Sequence, residues 1–372
     1  KMKIIKTLLT FLVSLFLFAT GAHAQENASF QEEVLEGEVV QIIDEGEIIE
    51  GGQKSAYQTL SVLITHGSIE GSTITIETGA FQIAGTRQYE VGNKILVTYT
   101  KTPGGDTFFT ISDFVRREGL LYLAILFVLL AILIGGKWGA FSIIGMAFSF
   151  LVIFKFILPQ ILLGQDAVVM SILGSIVIVP VTFGLSHGIS KKTLVAVVGT
   201  ITTLVLVGVL ASFFVDLTHL TGFASEEAGF LQLDLGNVIN MKGLLLAGII
   251  IASLGILDDI TISQASVVRE ISLANKKLKA GELFTRAMRV GKDHISSLVN
   301  TLILVYTGAS LPLFLLFVNN PRPFSEVINY EIVADEIVRT LVGSMGIILA
   351  VPITTVLAAY YLKSSGAGTK KH

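Results

Sequence analysis

Two adjacent carboxylates, Asp258 and Asp259, close a fifteen-residue apolar run from Gly243 to Leu257. An aspartate near the centre of a bilayer costs about 2.5–3.5 kcal/mol on insertion scales. Two in succession therefore call for a chemical reason. On a helix, Gly255, Asp259, Ser263, Ser266 and Glu270 share one polar stripe, with Asp258 about 100° away. The apolar run measures about 22 Å at 1.5 Å per residue, which places the pair inside membrane-length sequence, towards its cytoplasmic end. A carboxylate with hydroxyl neighbours suits a proton or a hard cation, which prefers oxygen ligands. Asp259 is the expected centre, with Asp258 beside it and Ser263 and Ser266 supplying neutral oxygens. Asn300 and Thr301, in a later apolar segment, are expected to add two more. The competing reading is a helix end in water, with either aspartate bonded to Arg269 or a loop lysine.

Elements able to hold such a site follow from composition. The chain has 372 residues, of which 52% are hydrophobic and 15% charged. That balance belongs to a polytopic membrane protein, with the lipid bilayer as its first partner. A net charge of −3 leaves no nucleic-acid footprint, and the lack of cysteine excludes thiol chemistry and disulfides. Six scattered histidines form no His-x-x-x-His pair. No cofactor or nucleotide motif occurs.

Seven apolar segments, near 119–136, 138–158, 167–187, 193–215, 243–262, 295–318 and 341–362, are each long enough to cross about 30 Å of hydrocarbon. Pro180, Gly308, Pro312 and Pro352 fall inside them. They are expected to bend the helices around a polar cavity, since proline frees a carbonyl that only protein or water can satisfy. Between the fifth and sixth segments, 263–294 reads as a cytoplasmic amphipathic loop lying on the membrane surface.

Ahead of the spans, Lys1, Lys3 and Lys6 precede an apolar run and then Ala22-His23-Ala24, which predicts a signal peptide over 1–24. Residues 25–115 then read as an exported all-β domain. Period-two runs at 38–43, 59–65, 72–76, 94–99 and 107–111 predict five short strands in an OB-like barrel. It lacks a basic or aromatic-rich face, so a structural or partner-binding role is expected. The membrane domain fills 116–372. Basic residues number thirteen on the side predicted cytoplasmic and six on the other, which sets an extracytoplasmic N-terminal domain and a cytoplasmic C-terminus.

The sequence resembles the YibE/F family of polytopic membrane proteins. Three stretches carry the likeness: Leu257 to Ser266 with Glu270; Ala287 to His294 running into Asn300 to Gly308; and Ile328 to Val333 through Gly343-Ser344-Met345-Gly346 to Val351-Pro352-Ile353-Thr354. The resemblance covers the membrane part and the exported domain. It implies a bacterial plasma (inner) membrane protein with an exported N-terminal domain. It marks Asp259 as the family aspartate, because Ser263 then falls four residues on. It brings no established reaction.

The expected function is that of a secondary transporter or ion-coupled permease moving a solute with a proton or cation. The alternative is a non-catalytic scaffold or accessory subunit, whose exported domain binds an envelope protein or which assembles as a homo-oligomer. An enzyme is not expected. A metal-dependent site on the aspartates would want a further nearby Asp, and an aspartyl dyad would want its carboxylates on facing helices.

Overall fold

The computed structural model describes residues 31–50, 53–79, 88–102, 106–318 and 322–364. The predicted signal peptide lies outside the described residues. The chain divides into two compact units, 23–129 and a helical unit built from 130 onwards.

In the first unit, five antiparallel strands form a half-barrel sheet in the order β3-β2-β1-β4-β5. They are β1 (Gln31–Glu50), β2 (Gln53–His66), β3 (Thr73–Thr78), β4 (Lys94–Lys101) and β5 (Thr107–Phe114). All five alternating runs are strands. β1 is long enough to pair with β2 along most of its length and with β4 at its beginning. Register shifts within β1 coil the sheet. Alternation sends Leu35, Val39, Leu60, Val62, Ile64, Ile95 and Val97 into a core closed by Ile76 and Tyr89. Gln58, buried, accepts from the Tyr89 amide at 2.7 Å and donates to its carbonyl at 3.1 Å, which ties the loop before β4 to β2.

The helices begin with α1 (Arg117–Val152), continued by a π-turn into α2 (Leu158–Leu162). As one straight rod, 117–162 would be about 69 Å long, over twice the hydrocarbon thickness. It is not straight. Gly136 has φ of +56°, a backbone state that glycine adopts without strain. The site of a Cβ on Gly139 comes within 2.0 Å of the Ala131 carbonyl oxygen. Eight residues of straight helix would separate those positions by about 12 Å. The chain thus turns sharply between the first two predicted segments.

The bundle consists of α3 (Ala167–His187), α4 (Lys191–Leu217), α6 (Met241–Ala274), α7 (Ala280–Ala309) and α10 (Glu331–Ser364). Three short helices, α5 (Glu226–Leu235), α8 (Leu311–Val318) and α9 (Phe324–Val327), lie in the connections. Asp166, Ser190, Ser225 and Asn240 each cap a helix start with a side-chain oxygen. Among the described residues, five helices are long and apolar enough to cross a membrane, or six if the bent pair α7 and α8 counts as one.

The helix of the polar stripe runs well past its apolar segment: α6 continues to Ala274, burying Gln264, Ala265 and Val268. Those side chains fall on the face that already buries Leu254, Leu257 and Thr261, so packing sustains the helix past the polar stripe. Helices α3 and α10 run through Pro180 and Pro352. The 72° bend comes at Ser310, between exposed Gly308 and Pro312.

Candidate functional site

Contacts between the bundle helices set their relative heights. Gly248 of α6 lies by Arg339 of α10, Ser253 by Gly343, Leu257 by Gly346, and Gln264 by Thr355. The offset stays near 90 residues, so α6 and α10 run parallel and in step. Helix α4 is antiparallel to both, with Gly199 against Thr354, Val207 against Gly346 and Thr200 against Thr261. Helix α7 is antiparallel too, with Gly291 against Gln264 and Leu302 against Gly343.

This register gathers a polar layer. Asp258, Thr261 and Gln264 step along α6 at i, i+3 and i+6. Thr200 shares a 2.7 Å hydrogen bond with Thr261, and the Thr261 hydroxyl also reaches the Asp258 carbonyl at 3.4 Å. The Gln264 amide nitrogen donates to Thr355 Oγ1 at 2.7 Å and to the Ala287 carbonyl at 3.2 Å. A carbonyl can only accept, so these bonds fix the amide's orientation. Thr354, one residue earlier on α10, stands opposite Gly199. A Cβ there would sit 2.6 Å from its hydroxyl oxygen. From Asp258 to Gln264 is six residues, about 9 Å of helix axis.

Thr200, Thr261, Gln264, Thr354 and Thr355 are all fully buried. Gln264 Oε1 and Thr354 Oγ1 in the layer, Asp258 Oδ1 at its edge and, elsewhere, His294 Nδ1 of α7 are buried with no hydrogen-bond partner among the described residues. A buried polar group left unpaired costs about 1–3 kcal/mol, so these atoms are the candidates for contact with a ligand. The donor set is chiefly neutral and carboxylate oxygen, the chemistry of a proton or hard cation. No group of three metal-ligating side chains occurs among the described residues.

The sequence-predicted residues are distributed differently. Asp258 is half-buried at the edge of the layer, and Asp259 is exposed, within electrostatic reach of His187 at the end of α3. Gly255 and Glu270 of the stripe are exposed, and Ser263 and Ser266 are half-buried. Ser266 is occupied with the Ile262 carbonyl at 2.7 Å. The buried side of α6 is its apolar side, and Asp258 borders it where the stripe does not. Asn300 and Thr301 are exposed on α7, with Thr301 bonded to the Ser297 carbonyl. No hydrogen bond or ion pair joins either to the aspartates. Pro180 and Pro352 are half-buried.

Thr200, Thr261, Gln264, Thr354 and Thr355 went unselected in the sequence. Thr261, Gln264 and Thr354 lie in the stretches that carry the family resemblance; otherwise their signal was polarity inside long apolar runs, which does not distinguish helix-to-helix bonding from a site.

A second polar station lies at the other end of the bundle. Arg339 pairs with Asp335 at 3.2 Å and approaches Glu336 at 3.8 Å. With Gly222, Ser225, Glu227 and Gly248, Asp335 and Arg339 help line a cavity of about 290 Å³. Glu331, in the first turn of α10, accepts from the Thr221 amide at 2.6 Å, the Thr221 hydroxyl and the Gly222 amide, fastening the loop after α4. The two stations are sixteen residues apart on α6, from Gly248 to Gln264, or about 24 Å.

A family model described as YibE/F-like protein matches residues 123–364, about two-thirds of the chain. The match leaves out the β-domain, which the sequence resemblance had included. No curated protein and no solved structure matches the chain.

Proposed function

The chain belongs to the YibE/F family, and from that premise we propose that it is an ion-coupled secondary transporter of the bacterial plasma membrane. In this reading Asp258 binds the coupling proton or cation, with Gln264, Thr354 and the Thr200–Thr261 pair as neutral oxygens. The observation that carries it is that Asp258 Oδ1, Gln264 Oε1 and Thr354 Oγ1 are buried and unpaired inside an otherwise apolar bundle. A purely structural polar layer would satisfy its own members. The cavity at Asp335 and Arg339 is the outer vestibule of the same path. Asp259 and His187 lie nearer the lipid or a second copy of the chain.

The topology is seven spans. Residues 117–162 form two, divided at Gly136, and α7 with α8 forms one broken span. An odd count puts the β-domain, an OB-like module behind a signal peptide, outside and the C-terminus inside, as the basic residues require. Broken helices beside a polar centre are a recurring transporter arrangement.

One observation favours the scaffold alternative. Val34, Val40 and Ile43 of β1 are 60%, 43% and 53% exposed, an apolar strip suited to an envelope protein. The two readings separate in cells expressing wild-type protein or Asp258→Asn. Transport predicts a solute whose cellular level depends on the wild-type protein and on the ion gradient, and the variant loses that dependence. Equal solute profiles, with a stoichiometric partner recovered on the β-domain, would favour the scaffold.

A further inference from the structure

The start of α7 differs from the other long helices in charge. Between 276 and 292 the chain carries six basic residues, Lys276, Lys277, Lys279, Arg286, Arg289 and Lys292, and one acid, Glu282. Leu283, Ala287 and Gly291 are buried, and their regular spacing puts them on one face of the helix. Arg286, Arg289 and Lys292 are exposed. Arg286 and Arg289, three residues apart, are neighbours on the helix surface. With Gly281, Glu282 and Thr285 they line a groove of about 310 Å³. The other polar groups of the groove are engaged locally. Thr285 Oγ1 donates to the Gly281 carbonyl at 2.9 Å, and Glu282 Oε2 accepts from the Lys279 amide at 2.8 Å. Among the described residues, no hydrogen bond or ion pair engages either guanidinium.

The height of this groove follows from the packing of Gly291 on Gln264. Gln264 lies about 31 Å along α6 from Gly243, where the apolar run begins, which is one hydrocarbon thickness. Arg289 and Arg286 precede Gly291 by two and five residues, about 3 and 7.5 Å further out. That is the depth of the headgroup layer, about 5–7 Å on each side of the hydrocarbon. Charge of the same sign occurs at this end of other helices. Arg269, five residues past Gln264 on α6, is exposed, with Lys192 of α4 within electrostatic reach. Glu270 beside Arg269 and Asp293 beside Lys292 are the further acids there.

We propose that this face of α7 binds anionic phospholipids of the inner leaflet, with one lipid phosphate seated in the groove between Arg286 and Arg289. Guanidinium groups present paired N–H donors that match phosphate oxygens, and basic clusters just inside a membrane span attract anionic lipid. Orientation in the membrane needs positive charge anywhere in this loop; the groove and its two unpaired guanidinium groups give a place for one headgroup. The buried face of the same helix meets Gln264 and Val351, so a lipid held here bears on a wall of the polar layer. The lipid site stands apart from the transporter reading, and only its leaflet follows from the topology given above.

The test uses full-length protein in phosphatidylcholine vesicles. The sole tryptophan, Trp138, is moved beside the groove by Trp138→Phe with Val290→Trp. Its emission is quenched by brominated phosphatidylglycerol or, separately, by the same fraction of brominated phosphatidylcholine. The anionic lipid should be favoured at least about fivefold, the effect of one basic side chain at an anionic surface. Adding Arg286→Gln and Arg289→Gln should abolish the preference and leave the thermal unfolding midpoint in place, since both side chains are exposed. Adding Lys276→Gln and Lys277→Gln instead should retain it. Equal quenching by the two lipids, or a preference that survives loss of both arginines, overturns the proposal. Equal loss in the lysine variant also overturns it, because diffuse charge then suffices. If excess inorganic phosphate abolishes the preference, the groove is a site for soluble anions and the lipid assignment fails.

Discussion

Asp258 and Asp259 are neighbours on one helix and meet opposite surroundings. One has a buried oxygen with no hydrogen-bond partner among the described residues. The other is exposed beside His187. Asp258→Asn removes a buried ionisable group and keeps the shape, so insertion and yield are expected to survive while ion dependence is lost. Asp259→Asn is expected to keep that dependence. The sequence pointed to a carboxylate here and to Asp259 as the inward one. A single residue step rotates the side chain by about 100°, and only the neighbouring helices decide which step is buried; here it is Asp258. At the opposite station, Glu331→Ala removes charge-assisted bonds to Thr221 and Gly222. It should lower stability by about 1–2 kcal/mol, read as an earlier thermal unfolding midpoint.

At the scale of elements, the polar layer depends on close helix approach. A Cβ on Gly291 would lie 2.5 Å from Val351 Cγ1 and 3.0 Å from the Gln264 amide. Gly291→Val therefore pushes α7 off α6 and α10 and is expected to cost about 1–3 kcal/mol by overpacking. Under the transporter reading it also impairs ion dependence, because the strain falls on Gln264. The five strands and the long apolar helices were legible, since period and length speak directly for each. The far end of α6 was not. Its polar stripe spoke for a helix through Glu270 but not for a packed one, whereas Ile262, Gln264, Ala265 and Val268 keep it buried on its other face. The parallel register of α6 and α10 is a long-range fact that one chain's pattern does not carry.

At the scale of the whole molecule, a chain without cysteine offers a clean probe of topology. Single cysteines at Lys137, Ser190 and Gly281 should react with a membrane-impermeant reagent only from the cytoplasmic side. One at Ser225 should react only from outside. Labelling of Lys137→Cys from outside would mean that 117–162 crosses once and that the C-terminus lies outside. The β-domain has its own core, centred on Leu35, Val39, Leu60, Val62 and Ile95. Residues 25–115 expressed alone should therefore unfold cooperatively on heating, followed by circular dichroism.

The most direct measurement is the thermal unfolding of the purified full-length protein across pH and in sodium or potassium, comparing wild type, Asp258→Asn and Asp259→Asn. A ligand that binds only the folded state raises the midpoint. The account predicts a midpoint that responds to pH or to one cation in the wild type and in Asp259→Asn, and that loses this response in Asp258→Asn. The same response in all three proteins, or its loss only in Asp259→Asn, would contradict a coupling site at Asp258.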